Sequence, residues 1–451
     1  MKIDLLYLDL GVKLLRTQIF LMFLVISTVL GRTPGSESRK PTDRLGGWKT
    51  LSLNEVIALV RKNNPTIQSA QSKWQAAKER IPQARAWEDL KIDTNIVFGR
   101  FVNVPSNGFT DQMVSVEQMI PLSGKNRSKE RAAAAAALAT FEEARRQELD
   151  VIARAKAAYY QIGNLYQLLD INQADTDSLA QSLDATRAKF QVGTQAQADL
   201  LLADNERQKI AEARSDLEQR LSEAESTLSM LMNRDPFSPL GRPAGSEESS
   251  LPYAVEKLRQ LVLANRPEVR EAEAKVTLAE AQLQLAKREW IPDPTVSLEA
   301  ERYNAASQFV SQVGGGVSIN IPWLNGRKYR AEEKEAQAEL NAAQSDLASA
   351  ETEALGLLRN QLKKLETLHH HIELYRDNLL PTARQTVSSY EADYATDKAT
   401  LLVLLSSQRN LRDLETTYYQ DLSDYQTALA ELESLVGLDS RIAGTESTDA
   451  M

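Results

Sequence analysis

Every histidine of the chain stands in one run, His369-His370-His371. Imidazole is the side chain that most often holds a transition metal or moves a proton near neutral pH, so chemistry is sought there first. Consecutive helix residues point about 100° apart, whereas a helical metal site uses ligands at i and i+4 on one face. One chain therefore offers no imidazole pair. The run reads as solvated, and only a symmetric assembly gathering three copies of one histidine would make a metal site of it. Gly314-Gly315-Gly316 is no phosphate loop, because no Lys-Ser/Thr follows and the sequence around it alternates like a strand. Glycines there mark curvature or a bulge. With no cysteine in the chain, thiolate metal sites, a thiol nucleophile, disulfides and a lipid-bearing cysteine are excluded. There is no Ser-His-Asp grouping, no carboxylate pair in a pocket context and no nucleotide fingerprint, so no catalytic residue, cofactor or metal is expected.

Composition points to elements that position rather than react. The 451 residues carry 53 Lys+Arg against 62 Asp+Glu, a net charge of -9. Phosphate neutralisation needs the opposite sign, so nucleic acid is excluded as a partner. Only 6% of residues are aromatic, with 19 Gly and 15 Pro, which fits long helices better than several compact cores. Residues 1–31 read as an export signal: Lys2, Lys13 and Arg16 precede an apolar run from Ile19 to Leu30, with Val29 and Gly31 at the expected cleavage. That run is too short to span a bilayer, which takes roughly 20 residues. No later stretch is long and apolar enough, so the mature chain is expected to have no membrane-spanning helix.

The remainder is one plan written twice, over residues 51–236 and 253–437, with an N-terminal segment 32–50, a linker 237–252 and a polar tail 438–451. Each copy opens with a short helix, Leu53 to Asn63 or Val255 to Asn265, closed by Asn64-Pro65 or Arg266-Pro267. An Ala, Gln and Lys-rich helix follows, ending near Trp87 or at Trp290. Alternating sequence then predicts two hairpins, spanning residues 92–120 and 295–321. The loop of the first holds Asn103, Pro105, Asn107 and Gly108. Each hairpin ends at Pro121 or Pro322. From Gly124 to about Phe190 no proline interrupts strong helix formers, predicting a helix about 100 Å long at roughly 1.5 Å per residue. A second helix follows the break at Val192-Gly193-Thr194 and runs to Asn233. The second copy repeats this from Gly326 to about Tyr390 and from Lys398 to Val436. Leu217, Leu221, Leu228 and Leu231 have near-heptad spacing, so these helices should pair as antiparallel coiled coils.

Four strands are too few to close a barrel, which takes about eight, and an open sheet in lipid leaves backbone groups unsatisfied. If the sheet enters a membrane, several copies must complete the barrel, with Val296, Leu298, Val317 and Ile319 toward lipid and Ser297, Glu299, Glu301, Ser318 and Asn320 toward a wet lumen. The alternative is a soluble sandwich with a buried face.

Two segments carry a family resemblance. Phe190-Gln191-Val192-Gly193-Thr194 followed by Ala198-Asp199-Leu200-Leu201 resembles the turn where long helices reverse in the outer-membrane efflux protein family, the TolC-like outer membrane factors. Ser389-Tyr390-Glu391-Ala392-Asp393 followed by Leu401-Leu402 stands as its counterpart, with Asp393 where a glycine is usual. Leu231 to Pro236 and Leu435-Val436-Gly437 resemble the family's helix ends, so the likeness spans nearly the whole mature chain. It implies a mainly α protein with a small β part: a homotrimer whose 12-stranded barrel sits in the outer membrane on a 12-helix periplasmic tunnel. It further implies an exit duct without chemistry of its own, working with a periplasmic adaptor protein and an inner-membrane pump, RND-type first. Cargo would be small molecules or metal ions, and Ile120-Pro121-Leu122-Ser123-Gly124-Lys125-Asn126-Arg127 is closer to the heavy-metal branch than to the secretion branch. A type I protein secretion duct and a non-porous envelope scaffold are the rival readings.

Opening would be a rearrangement of the second helical pair at the tip. Under the resemblance Asp199 would ring the aperture with carboxylates; read alone, it is a solvated residue at a helix start. Asp393 and Asp397 would add charge there or serve as caps, while Ala399 and Thr400 stand where a matching carboxylate is expected. Tyr390 would contact neighbours near the aperture, or sit on a coiled-coil seam.

Overall fold

Prolines and caps set where the helices of each half begin, and the computed structural model describes residues 50–98, 110–244, 254–303 and 309–437. The export signal, most of the segment 32–50, the Asn103 to Gly108 loop, much of the linker and the tail lie outside these residues. After a two-residue strand β1 (Thr50–Leu51), helix α1 (Leu53–Asn63) starts at Ser52, whose hydroxyl accepts the Glu55 N–H at 3.3 Å. The next helix, α2 (Pro65–Arg85), starts at Asn64, whose Oδ1 accepts Thr66 N–H at 2.9 Å, while Pro65 fills the first helical position where no N–H is needed. The second copy places α5 (Val255–Asn265) and α6 (Pro267–Arg288) in the same way, with Pro267 opening α6.

Strand β2 (Lys91–Ile96) and strand β3 (Thr110–Met119) pair antiparallel, as do β5 (Pro294–Tyr303) and β6 (Gln312–Ile319). The β3–β5 pairing joins them into one sheet of order β2-β3-β5-β6. A separate two-residue strand β4 (Arg242–Pro243) lies parallel to β1. Residues directly opposite share a face. Val296 opposes Val317 and Leu298 opposes both Val116 and Gly315, while Glu299 opposes Ser115 and Gly314, and Glu117 opposes Ser297. One face is therefore apolar and the other carries Asp93, Glu117, Glu299 and Glu301. The glycine triplet lies inside β6, where a Cβ on Gly316 would stand 2.7 Å from the Ser297 hydroxyl.

The turn into the first long helix is tied across the halves. Asp293 accepts both the Ser123 N–H and its hydroxyl at 2.7 Å, Lys125 stands 3.1 Å from Glu289, and Arg288 donates to the Ser123 carbonyl at 2.8 Å. Gly124, at φ +72, makes the bend. Helix α3 (Lys125–Gln191) then runs 67 residues without a break, about 100 Å, and α4 (Gln197–Leu231) returns along it. The second copy differs from the expected single helix to Tyr390. Helix α7 (Gly326–Leu374) gives way to a π turn (Tyr375–Leu379), followed by α8 (Leu380–Ala395) and α9 (Leu401–Val436). Pro381 explains the joint: it has no N–H for the Asp377 carbonyl and its ring presses on that group, which a wider turn relieves.

Among the described residues four apolar clusters hold the helices, the smallest packing Ala279 and Leu283 of α6 against Ala336 and Leu340 of α7. One lies in the first half around Val60, Ile162 and Leu228, with Leu217, Leu221 and Leu231 packed on it, and another in the second half around Val262, Leu358 and Leu432. The third joins the halves near the helix reversals: Leu179 and Leu183 of α3, Ala203 and Ile210 of α4, Tyr394 of α8, and Leu401, Leu404 and Leu405 of α9. Among the described residues no helix is long and apolar enough to cross a membrane.

Candidate functional site: the helix reversals

The first reversal is a helix stop closed by its own backbone. Gly193 is left-handed at φ +79, its N–H donates to the Phe190 carbonyl at 2.9 Å, and the Thr194 N–H donates to Lys189 at 3.0 Å. These two bonds close the last turn, and the Thr194 hydroxyl adds a third to Lys189 at 3.0 Å. Glycine takes that conformation without the clash a Cβ meets. Asp199 sits in the first turn of α4, where the helix dipole favours a carboxylate, and its Oδ2 accepts Gln195 Nε2 at 2.6 Å.

The second reversal repeats the pattern four residues later than the sequence reading placed it. Asp397 is the left-handed residue at φ +58; its N–H donates to Tyr394 at 3.3 Å and the Lys398 N–H donates to Asp393 at 2.8 Å. Asp393 therefore does not stand in the glycine position. It lies in the last turn of α8 and supplies a carbonyl to the stop. The aromatic residue three positions before the left-handed one is Phe190 in the first turn and Tyr394, not Tyr390, in the second. Tyr390 packs beside Leu200 and Leu202 against the cluster between the halves. Leu401 is buried in that cluster, whereas Leu201, Leu402 and Phe190 are exposed.

One lysine ties the two reversals together. Lys189 Nζ, at the end of α3, lies 2.5 Å from the Tyr394 carbonyl, 2.5 Å from Asp397 Oδ1 and 4.3 Å from the Tyr394 ring centroid. Beneath it the Tyr394 hydroxyl meets the buried Thr186 hydroxyl at 2.7 Å. Further from the turns, Arg409 of α9 pairs with the buried Glu206 of α4, and Arg412 stands 3.6 Å from Glu206 and 3.9 Å from Asp175 of α3. Burial alone would raise Glu206, but the Arg409 hydrogen bond and the charges of Arg409 and Arg412 hold its carboxyl below the usual range. Asp175 goes the other way: burial pushes it up to about 6 against the pull of Arg412, with Glu415, Asp413 and Glu206 adding to the rise.

Lys189, Thr186, Tyr394, Asp175, Glu206, Arg409 and Arg412 were missed by the sequence reading. The aromatic offset from Gly193 was the one available signal, since it points to Tyr394 and Asp397. The histidine run lies away from the reversals: His369 Nε2 is 3.3 Å from Glu373 and His371 Nδ1 is 3.5 Å from Asp421. Among the described residues no group of three or more His, Asp and Glu could hold a metal ion.

Comparison with known proteins bears on what such a molecule does. A family model described as outer membrane efflux protein matches twice, over residues 56–234 and 258–438. Outer membrane protein TolC of Escherichia coli (strain K12) is 22% identical over 446 residues, covering 90% of this chain and 88% of that protein. Toxin and drug export protein A of Aggregatibacter actinomycetemcomitans is 22% identical over 315 residues, covering 64% of this chain and 66% of its own length. Among solved structures, CusC superposes with a TM-score of 0.75 at 16% identity, over 87% of this chain and 95% of that one. That likeness shows the fold.

Proposed function

Because the chain belongs to the outer membrane efflux protein family, whose members are channels and not enzymes, we propose that it is the exit duct of a tripartite efflux assembly. Its place is the outer membrane, with the long helices in the periplasm. The observation that carries the proposal is the sheet: four strands, apolar on one face and polar on the other, with β2 and β6 left unpaired at the edges. In lipid those edges must pair. In our reading three copies meet edge to edge, giving a 12-stranded barrel above twelve helical passes, one plan repeated in residues 51–236 and 253–437. The acidic face would line the water-filled lumen and the apolar face would meet lipid.

A periplasmic adaptor and an RND-type pump would dock from below and supply the energy. Small molecules or metal ions would be the cargo. The relative named for toxin and drug export supports a second reading in which the cargo includes protein. The gate would lie at the reversals. The jointed second copy, α7 to α9, swings on its π turn while the unbroken α3 stays fixed, and the tie from Lys189 to Tyr394 and Asp397 opposes opening. Phe190, Gly193, Thr194, Asp199, Leu200, Leu201, Tyr390, Asp393, Leu401 and Leu402 would shape the aperture or its contact with the adaptor.

The test is the mass of purified residues 32–451 in detergent together with planar-bilayer conductance. Trimers giving small, cation-preferring channels are expected. A monodisperse species without conductance would favour the scaffold.

A further inference from the structure

Roughly 15 to 25 Å from the reversals, at 1.5 Å per residue, three helices from both halves meet around polar side chains. Asp175 and Ser178 of α3, Glu206 of α4 and Gln408, Arg409 and Arg412 of α9 line a cavity of about 20 Å³, walled otherwise by Leu179, Ile210 and Leu405. That volume holds about one water. Asp175 Oδ2 is closed off from solvent and accepts no hydrogen bond, and the Arg412 Nε nearby is 3.9 Å away. Arg412 is also shared, standing 3.6 Å from Glu206 and 3.9 Å from Asp413.

The charges facing Asp175 leave it short of a cation. From α4 come Glu206 and, behind it, Lys209; from α9 come Arg409, Arg412, Asp413 and Glu415. Arg384 of α8 is taken by Glu415 at 2.8 Å, and Arg409 by Glu206. Asp175, Glu206 and Asp413 therefore share what Arg409 and Arg412 supply.

We propose that Asp175 is a proton-operated clasp between the two halves: taking up a proton tightens the seam, and the duct opens more readily once that proton has left. The proposal rests on the reading of the chain as a gated duct. Its sign follows from linkage. Packed in the seam, the carboxyl titrates at about 6, whereas a solvated aspartate titrates near 3.9. The packed state thus holds a proton that the separated state releases. Between about pH 4 and 6 packing is weakened as pH rises, and above that range the seam carries a half-buried carboxylate whose enclosed Oδ2 accepts no hydrogen bond. At low pH the neutral acid offers an O–H donor to the cavity shared with Ser178 and Gln408.

Because the chain has no cysteine, Ala188→Cys with Ala395→Cys places spin labels on exposed residues of α3 and α8. Distances in the full assembly and single-channel open probability are measured from pH 5 to 8. Wild type should show longer distances and several-fold more opening as pH rises through about 6. Asp175→Asn, neutral throughout, should keep the short distances at every pH, and Arg412→Gln should move the midpoint upward. Asp175→Asn retaining the wild-type pH response would overturn the clasp, as would wild-type distances that stay flat or change in the opposite sense. Distances that respond as expected with flat conductance would uphold the clasp and remove the gated-duct reading instead.

Discussion

At the strand end, Val296, Leu298, Val317 and Ile319 are 41, 58, 69 and 54% exposed in a single chain, whereas at the reversals Tyr394, Leu401, Leu404 and Leu405 are at most 4% exposed. Among the described residues the sheet also has no strand beyond β2 or β6, so the outer rows of backbone N–H and C=O groups there have no strand partner. The reversals close their own helix ends and are tied by Lys189 and by Thr186 with Tyr394. In the proposed trimer one end takes its partners from outside the chain, and the other holds together by a few weak bonds within it. Substitutions in the sheet should act on assembly in an all-or-none way, and substitutions at the reversals should act by degrees on opening.

The largest effect is expected from Val317→Arg with Ile319→Arg. A midplane charge on the lipid face costs about 2–4 kcal/mol, so assembled protein should be lost from the membrane fraction; normal trimer yield would erase the contrast drawn here. Gly193→Val should leave assembly intact and lower thermal stability, since a β-branched residue in a left-handed conformation costs roughly 1–2 kcal/mol. Tyr394→Phe removes one buried hydroxyl while Thr186 keeps its bond to the Ser182 carbonyl. A net hydrogen bond of about 1 kcal/mol corresponds to roughly fivefold more opening in single-channel records. Lys189→Met should do less, about 0.5 kcal/mol or twofold, because Asp397 is largely exposed and the pair is screened. High salt should mimic it in wild type, and loss of assembly in either tip variant would contradict the division of labour.

How much of this was legible follows the same divide. The long first helix was read from Gly124 to about Phe190 and found at Lys125–Gln191, because an unbroken run of helix formers leaves the chain no other choice. The strand segments were legible because alternation has a period of two. The joint before Pro381 was not, since the plain first copy was extended onto the second. Asp397 was placed at the tip but not as its left-handed residue, because the second turn lacks the glycine that marks the first, and the aromatic offset was not used to fix the register. Asp175, Glu206, Arg409 and Arg412 look like solvated helix residues in sequence. Their partners lie about 200 positions away or on another helix, and no local spacing records that.

The proposed trimer stands on pairing of β2 with the β6 of another copy, and because the chain has no native cysteine that pairing can be probed by cross-linking. Within one chain β2 and β6 are separated by three strand spacings, about 14 Å, beyond the reach of a disulfide, whose Cα atoms lie within about 7 Å. Asn95→Cys on β2 combined in turn with Gln312→Cys or Ser318→Cys on β6 should therefore, on mild oxidation in membranes, link different chains. A covalent ladder ending at three chains, absent from each single variant, is the expected result. Monomers only, or a ladder running past three, would contradict a closed trimeric barrel.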